Sequence, residues 1–516
     1  MVGLAARVQR HQADAAPGRA SLVLRTRAQV AYESGATESR RVSKWYAPTV
    51  SPNSAILANL TTIRDRSRQA TRNDGLAEGA IDAQVRNLIG TGIKPLSQAT
   101  DPAFRAAVHA LWARWTDESD ADGILDFYGQ QSQICRGWLE GGEMFARLRP
   151  RRIDDMRTVP LQVQLLEPEL CPHTYDRVLD NGHRVRAGIE FDGIGRRVAY
   201  WFHPSRPADY QDFDASQLRR VPEDAVIPVY QPLRAGQLRG LPLLTQALVK
   251  LFEINKYDDA TLLRQQIANL FVGFVKRPGN NLETPINPLT GQAVTSTTER
   301  PLAELVPGMF QELDPGDEFE FNDPPDAGQT YPDFMRQQLF AVAAATKVPY
   351  EVLTGDMSKV NDRTVRVILH EFRRRLQAWQ HQIIAFQFCR RVWRAWLDRA
   401  FLSGALALPA SYVEDPEPWT AVKWMPQAWP YLHPVQDVQA TREAIRSGLT
   451  SRSSEVSERG EDADVIDQEQ ADDNARADRL GLKYDSDSRQ ARNGAPTPTD
   501  DNNGQVREPE SAGAAA

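Results

Sequence analysis

Two periodicities alternate along the chain, and together they predict an α+β fold. Helical spacing begins at Pro52-Asn53-Ser54, a cluster suited to capping, and runs through Ile56, Leu60 and Ile63 into Arg64, Arg66 and Arg68. Asn73-Asp74-Gly75 breaks it. A second amphipathic helix follows, with Ile81, Val85, Leu88 and Ile89 on one face, and Gly90-Thr91-Gly92 ends it. Residues 102–118 predict a third helix, carrying Leu111, Trp112 and Trp115. Residues 127–139 predict a fourth, closed by Gly141-Gly142.

From about 143 to 230 the period falls to two. Leu161, Val163 and Leu165 alternate with polar residues, as do Val185, Ala187, Ile189 and Phe191. Asp192-Gly193 and Gly195 mark a turn, after which Val198, Tyr200 and Phe202 resume the alternation, so an antiparallel hairpin in a half-buried sheet is expected.

Helical spacing returns over 242–272, opened by Pro242. Its apolar positions Leu244, Leu248, Leu251 and Phe252 give way to Asn255, Lys256, Asp258 and Asp259, then resume at Leu263, Ile267 and Leu270. Such a polar middle is hard to bury in one monomer, so this helix either bridges solvent or packs against other copies. Residues 276–330 are rich in Pro, Gly, Asn and Thr, with a short strand expected at Phe319–Phe321. A helix over 332–346 stops before Val348-Pro349, and the loop Thr354-Gly355-Asp356-Met357-Ser358-Lys359 leads into the longest helix, 362–402. Apolar residues from Val365 through Phe372, Trp379 and Trp393 to Leu397 carry it, and forty residues would span about 60 Å. Long helices with narrow apolar stripes gain most from a ring of copies joined by heterologous contacts.

Composition narrows the class. Hydrophobic residues are 41% and charged residues 25% of 516, the balance of a globular chain with room for several domains. No apolar run approaches the ~20 residues of a membrane helix, and residues 1–20 lack the apolar core of a secretory leader, so no membrane partner is expected. Cys135, Cys171 and Cys389 stand far apart, which argues against disulfides or a cysteine zinc site and for a reducing cytoplasm. Residues 451–516 hold sixteen acidic against eight basic residues, which leaves the first 450 residues of this net −7 chain near neutral. A near-neutral body is not one that grips nucleic acid through counterion release.

Candidate chemistry is thin. Gly90-Thr91-Gly92-Ile93-Lys94 lacks the spacing and hydroxyl of a phosphate loop. His370-Glu371 opens like a zinc-protease motif, but Arg374 stands where the second ligand belongs. Glu143 after Gly141-Gly142 reads as a charged residue entering a strand, or as a catalytic carboxylate with a histidine such as His173 in a hydrolase. Arg373, Arg374 and Arg375 occupy consecutive helix positions and so point in different directions, whereas Arg390 and Arg394 share a face. Trp379, Trp393 and Trp396 fit core or interface packing better than base stacking.

The order of short motifs resembles one family. Ser54 to Asn73, Gly90-Thr91-Gly92-Ile93, Trp115 with Asp122-Gly123, Gly142-Glu143, Leu165-Leu166-Glu167-Pro168 and Gly188-Ile189-Glu190 are similar to lambda-type bacteriophage portal proteins. Arg234-Ala235-Gly236-Gln237-Leu238-Arg239-Gly240-Leu241-Pro242 is the most specific stretch, and Leu313-Asp314-Pro315-Gly316, Pro349 to Asp356 and Gly448-Leu449-Thr450-Ser451 continue the match. Asn361-Asp362-Arg363-Thr364-Val365-Arg366 stands where the family usually has Asn-Tyr-Ser-Ser-x-Arg.

The resemblance implies a portal fold: a flexible arm over 1–50, an α/β wing over 51–241, a stem helix over 242–272, a clip over 273–330 and a second stem helix over 331–348. A tunnel loop over 349–362, the long wing helix and following segment over 363–425, a crown over 426–483 and a disordered tail over 484–516 complete it. It implies no enzyme activity, no cofactor and no metal. It implies a homo-oligomeric ring of twelve subunits at one vertex of the virion, assembled in the host cytoplasm, through which double-stranded DNA is packaged and ejected. Terminase large subunit, head-tail joining proteins, scaffold and major capsid protein would be the partners. Asp356, Met357, Ser358, Lys359 and Val360 would lie near DNA, while Gly236, Gln237, Arg239, Gly240, Gly355 and Arg366 would serve structure. The rivals are the hydrolase and a head structural protein that never touches DNA.

Overall fold

Capping chemistry fixes where the first helices start and stop. The computed structural model describes residues 47–156, 158–205, 217–270, 273–276, 289–290, 318–321, 331–429, 433–484, 487 and 489. Nearly all of the expected arm, most of the clip and most of the tail lie outside the described residues. The Ser51 hydroxyl accepts the Ser54 amide, Pro52 follows, and helix α1 spans Pro52–Leu57. The single helix expected from Ser54 to Asn73 is in fact two. Asn59 leaves helical dihedrals, and α2 resumes over Leu60–Asn73. Asp74 then starts α3 (Gly75–Leu88), its Oδ1 accepting the amides of Leu76 and Ala77.

Strand β1 (Lys94–Ser97), helices α4 (Pro102–Thr116) and α5 (Phe127–Gly141), and strands β2 (Glu143–Pro150) and β3 (Leu161–Leu166) follow. Next come β4 (Arg177–Val178), β5 (Arg184–Arg186), β6 (Ile189–Phe191), β7 (Arg197–Phe202), β8 (Arg219–Pro222) and β9 (Val226–Tyr230). A 3₁₀ turn, Leu243–Gln246, precedes α6 (Leu248–Leu270), and β10 (Gly273–Lys276) pairs antiparallel with β11 (Glu318–Phe321), where a strand was expected. Helix α7 (Tyr331–Thr346), the short α8 (Tyr350–Thr354) and α9 (Asp362–Trp379) lead to a π-helical stretch, Gln380–Cys389, and α10 (Arg390–Leu402). The unbroken run over 362–402 is the long helix that the periodicity predicts. Strand β12 (Val422–Met425) precedes three helices, α11 (Pro434–Arg446), α12 (Arg452–Glu458) and α13 (Ala463–Leu480). All three fall within the segment 426–483 expected as a crown. Gly448 and Gly460, at φ 71° and 81°, separate the three helices.

The chain divides into two units. The first comprises Met1–Glu78, Gly137–Phe145 and Leu166–Thr346. Its centre is an antiparallel meander in the order β4-β5-β6-β7-β8. The alternation over Val185–Phe191, expected as one strand, is two strands of a tight hairpin: Val185 pairs with Glu190 and Arg186 with Ile189. Ala187 (φ 53°) and Gly188 (φ 78°) between them both occupy left-handed space, the signature of a two-residue hairpin turn. Gly188 cannot be replaced cheaply, since a Cβ there would lie 2.8 Å from both Cys171 Sγ and the Pro172 carbonyl oxygen. Phe145, Ile189, Tyr200, Phe202, Val221 and Leu238 form the core beneath this sheet. On β7, Trp201 donates from Nε1 to Glu190, which Arg220 and His183 also bind.

The second unit comprises Gly79–Arg136, Ala146–Leu165 and Lys347–Ala516. It is organised by aromatic packing: Trp112, Trp115 and Phe127 meet Phe388, Trp393 and Trp396 with ring centroids mostly 5–6 Å apart. The helix tryptophans are thus core, as their spacing suggested. Strand β1 pairs antiparallel with β12, and Gln380 donates from Nε2 to the Leu88 carbonyl. All three cysteines are buried and free, and burial pushes the Cys171 thiol in the first unit up to about 11. They are inert at neutral pH.

Asp120 organises the turn between α4 and α5. Its carboxylate accepts the amides of Asp122, Ile124 and Leu125 and the Gln130 side chain. Burial works to raise its pKa, but these four donors together hold it below the ordinary carboxylate value. A depressed carboxylate contributes stability at pH values above its unfolded pKa and loses it as the pH falls through the folded one. The acid limb of unfolding below pH about 4 should therefore flatten in Asp120→Asn. Urea midpoints between pH 5 and 3 check this, and parallel curves for the two proteins would show that other carboxylates set the acid limb.

Candidate functional site

The segment most specific to the resemblance, Arg234 to Pro242, lies in the first unit and wraps a buried carboxylate. Gly236 turns the chain at φ 78°, and its carbonyl accepts from Asn53 Nδ2, whose Oδ1 takes the Leu238 amide. Gln237 is buried, with Oε1 accepting the Leu233 and Arg234 amides and Nε2 donating to the Arg239 carbonyl. This clamp extends Arg239 inward.

Arg239 is wholly buried. It donates from Nε to Glu143 Oε1 at 2.7 Å, from Nη1 to the Ala187 carbonyl at 2.9 Å and from Nη2 to the Pro168 carbonyl at 3.1 Å. Arg64 approaches the same Oε1 from α2, with Nη2 at 3.0 Å, and its Nε donates to the Gly141 carbonyl. Glu143 Oε2 takes the Gly240 amide at 3.3 Å. A second layer balances the charge: Arg68 grips Glu169 through both guanidinium ends, at 2.7 and 3.1 Å. Desolvation lowers the Arg64 pKa against the pull of Glu143, whereas at Arg239 desolvation is outweighed by Glu143, Cys171 and Glu169 acting together, and its pKa is raised. Both remain cationic at any ordinary pH.

Two glycines let the backbones close on this hub. A Cβ on Gly240 would overlap the Gly142 carbonyl oxygen, and one on Gly142 (φ 88°) would come within 2.6 Å of the Leu241 backbone. That close approach is why Gly240 follows Arg239.

The hub removes the hydrolase reading. Glu143 is buried and paired with two arginine guanidinium groups, so a substrate cannot reach it and protonating it would leave two buried cations without their anion. His173 lies near Thr61, Nε2 to Oγ1 3.5 Å. Burial first, then the charges of Arg239 and Arg64, lower its pKa to about 4. Among the described residues no group of three or more His, Cys, Asp and Glu is placed to hold a metal ion. Spacing had not singled out Arg64 as a hub residue, although the signal was there: it sits with Leu60, Ser67 and Thr71 on the buried stripe of α2.

The other expected site residues lie in the second unit. Gly355 (φ 73°) ends α8 as a left-handed cap, with open space around it. Asp356 is held inside its own loop: Oδ2 accepts from the Tyr350 hydroxyl, and Oδ1 from the Ser358 amide and hydroxyl. Met357, Ser358 and Lys359 are exposed, Val360 is half-buried, and the Val360 amide bonds back to the Met357 carbonyl. Asn361 caps α9 by accepting the Thr364 amide. Arg366 pairs with Asp362 at 3.3 Å, and His433 Nε2 meets the same carboxylate at 3.0 Å. The three consecutive arginines of α9 find three partners, as helix geometry required: the Trp429 ring for Arg373, Glu371 for Arg374 and the Lys347 carbonyl for Arg375.

The family model for phage portal proteins of the lambda family matches residues 38–380, well over half of the chain. The chain belongs to that family. The portal chain is 24% identical over 445 residues to the probable portal protein of Halomonas phage phiHAP-1, covering 82% of this chain and 81% of that one. It is 19% identical over 485 residues to portal protein B of Escherichia phage lambda, covering 86% and 89%. Among solved structures it resembles a chain in the neck of a native GTA particle computed with C12 symmetry, at 13% identity and a TM-score of 0.42, covering 78% and 93%. A mixed α/β portal-like fold, a general portal role in a phage-like particle and a non-enzymatic, structural nature follow from this membership. No helix among the described residues is long and apolar enough to cross a membrane.

Proposed function

We propose that the chain is the repeating subunit of a ring at one vertex of the phage head, through which the genome is packaged and ejected. The observation that carries this is helix α6. From Asn255 to Ala260 six consecutive residues are exposed, although Tyr257 packs on Tyr331 and Phe334 of α7 and Asn255 bonds Asp74, so most of more than a full turn is left wet by its own chain. A helix of marginal intrinsic stability needs tertiary packing, and here neighbouring copies supply it.

In this reading α6 and α7 are the stem, and residues 51–241 with 363–425 are the wing. Residues 273–330 are the clip, which meets the terminase large subunit and later the head-tail joining proteins. The helices α11, α12 and α13 form the crown, and scaffold and major capsid protein surround the ring during assembly in the host cytoplasm. The ring count implied by the family resemblance is twelve.

The loop over 349–362 is the tunnel loop, facing duplex DNA with Met357, Ser358 and Lys359 exposed while Asp356 is held by Tyr350 and Ser358. The chain binds its cargo weakly because the body is near neutral, which suits a conduit whose motor is a separate terminase. Arg239 and Glu143 hold the wing rigid behind the stem, and Arg366 and Gly355 shape the loop's two ends.

Purified full-length protein viewed end-on by negative-stain microscopy, with native mass spectrometry alongside, should show closed rings with a hole wide enough for duplex DNA. A folded, solitary chain at high concentration would overturn the reading, and a ring with a hole too narrow for duplex would leave a head protein that does not conduct DNA.

A further inference from the structure

We propose that a groove between α2 and the first half of α6 is a socket for the neighbouring copy of this chain; the inference rests on the ring reading and gives one of its contacts a place. The groove, of about 570 Å³, has an apolar floor of Ile63 and Ala70 from α2 and Leu248, Val249 and Phe252 from α6. Val249 is 71% and Phe252 58% exposed, which a solitary globular chain has no reason to maintain side by side.

The shape suits a chain segment more than a small molecule. One wall runs along α2 from Ile63 to Asn73 and its cap Asp74, the other from Thr245 in the 3₁₀ turn along α6 to Asn255, each presenting residues about one helical turn apart. Ten residues of helix give a trough about 15 Å long. Its two sides are helix stripes, the arrangement that takes the apolar face of a third helix or an apolar strip of chain. Asn255 donates from Nδ2 to Asp74 Oδ2 at 3.0 Å and ties the two walls together at one end.

Charge argues against a nucleic acid or an acidic peptide. The groove carries one cation, Arg66, and one anion, Asp74, so it offers no field for a phosphate backbone or an acidic peptide. Continuity names the occupant. The same helix runs without interruption from the groove into Asn255–Ala260, a run of six exposed residues. A ring made by heterologous contacts requires each copy to present a concave surface to one neighbour, and this one adjoins the face left for that neighbour.

Two arms test the assignment in the full-length protein. Val249→Glu combined with Phe252→Glu should leave the melting temperature within the range of the wild type, since both side chains are exposed. It should lower the fraction of chain in rings by more than about tenfold, because assembly would bury uncompensated carboxylates. Ile194→Glu, an equally exposed apolar residue on the turn between β6 and β7, should leave the rings unchanged. In the second arm a photo-crosslinking residue replaces Val249 in assembled rings, and an adduct of two chains is expected.

Full rings from the double variant, loss of rings in Ile194→Glu as well, or an adduct only to the same chain (residues 1–46 included) would overturn the socket. The crosslinking arm decides the matter if the double variant fails to fold. A wild-type protein that forms no ring overturns the ring reading itself, which is a separate outcome visible before any substitution is made.

Discussion

Replacing Arg239 with methionine is expected to destabilise the first unit by about 3–5 kcal/mol, the cost of breaking a buried ion pair from one side. Three losses combine. Glu143 keeps Arg64 and the Gly240 amide but loses its shortest donor, at 2.7 Å. The Ala187 and Pro168 carbonyls lose the Nη1 and Nη2 bonds in a region without water access, and each buried acceptor so abandoned costs about 1–3 kcal/mol. The planar guanidinium also leaves the Phe145 ring, 5.6 Å away. Glu143→Gln should be at least as severe, because Arg64 and Arg239 would then face each other with no anion between them.

Lysine at 239 should recover little, since one ammonium cannot span the Glu143 carboxylate and two carbonyls from separate turns. Hydrogen exchange on peptides covering 184–202 reads the effect locally, which matters in a chain of two units where one unfolding midpoint is not a single free energy. Protection of those amides within about 1 kcal/mol of wild type in Arg239→Met would mean that the hub is not what holds this sheet to the segment Arg234–Pro242.

That hub also shows where the sequence could be read and where it could not. Helix positions followed from spacing because their signals are local: the Asp74 cap, the Gly90-Thr91-Gly92 stop and the apolar stripe from Phe372 to Leu397 each need only their neighbours. The hairpin at Ala187-Gly188 is hidden in the sequence because its turn holds only two residues and the apolar alternation runs straight through it. Gly188 inside a strand pattern was the available sign. Glu143, Arg64 and Arg239 are brought together from α2, β2 and the segment before α6, so no window of sequence contains them. The resemblance flagged Gly236, Gln237, Arg239 and Gly240, and only the fold explains that group: Gln237 fixes the turn, Arg239 fills the charge pocket, and Gly240 lets the Gly142 backbone pass. For Asp356 the resemblance supplies an expectation about DNA, and the fold adds that Tyr350 and Ser358 hold its carboxylate within the loop.

The second unit should be equally sensitive at Trp396. Its side chain is fully buried among Trp112, Trp115 and Trp393, at centroid distances of 5.0, 6.1 and 5.5 Å. Trp396→Ala removes the largest kind of side chain from a packed cluster and should cost about 3–5 kcal/mol, through lost burial and a cavity that rigid aromatic neighbours cannot collapse. Trp396→Phe is expected to be far milder, within about 1.5 kcal/mol. The Trp396 indole N–H is buried with no hydrogen-bond acceptor among the described residues, so phenylalanine gives up volume but also removes an unsatisfied donor.

The contrast between the two substitutions separates volume from polarity. Trp115 is the control with the opposite expectation: its Nε1 donates to the Leu161 carbonyl at 2.8 Å, so Trp115→Phe loses volume and orphans an acceptor together. Hydrogen exchange over α4 and α10 should therefore rank the variants Trp396→Phe, Trp115→Phe, Trp396→Ala in order of falling protection. If Trp396→Phe proved as damaging as Trp396→Ala, the indole N–H would have a partner after all, and the cluster would owe its stability to a polar contact instead of to ring packing.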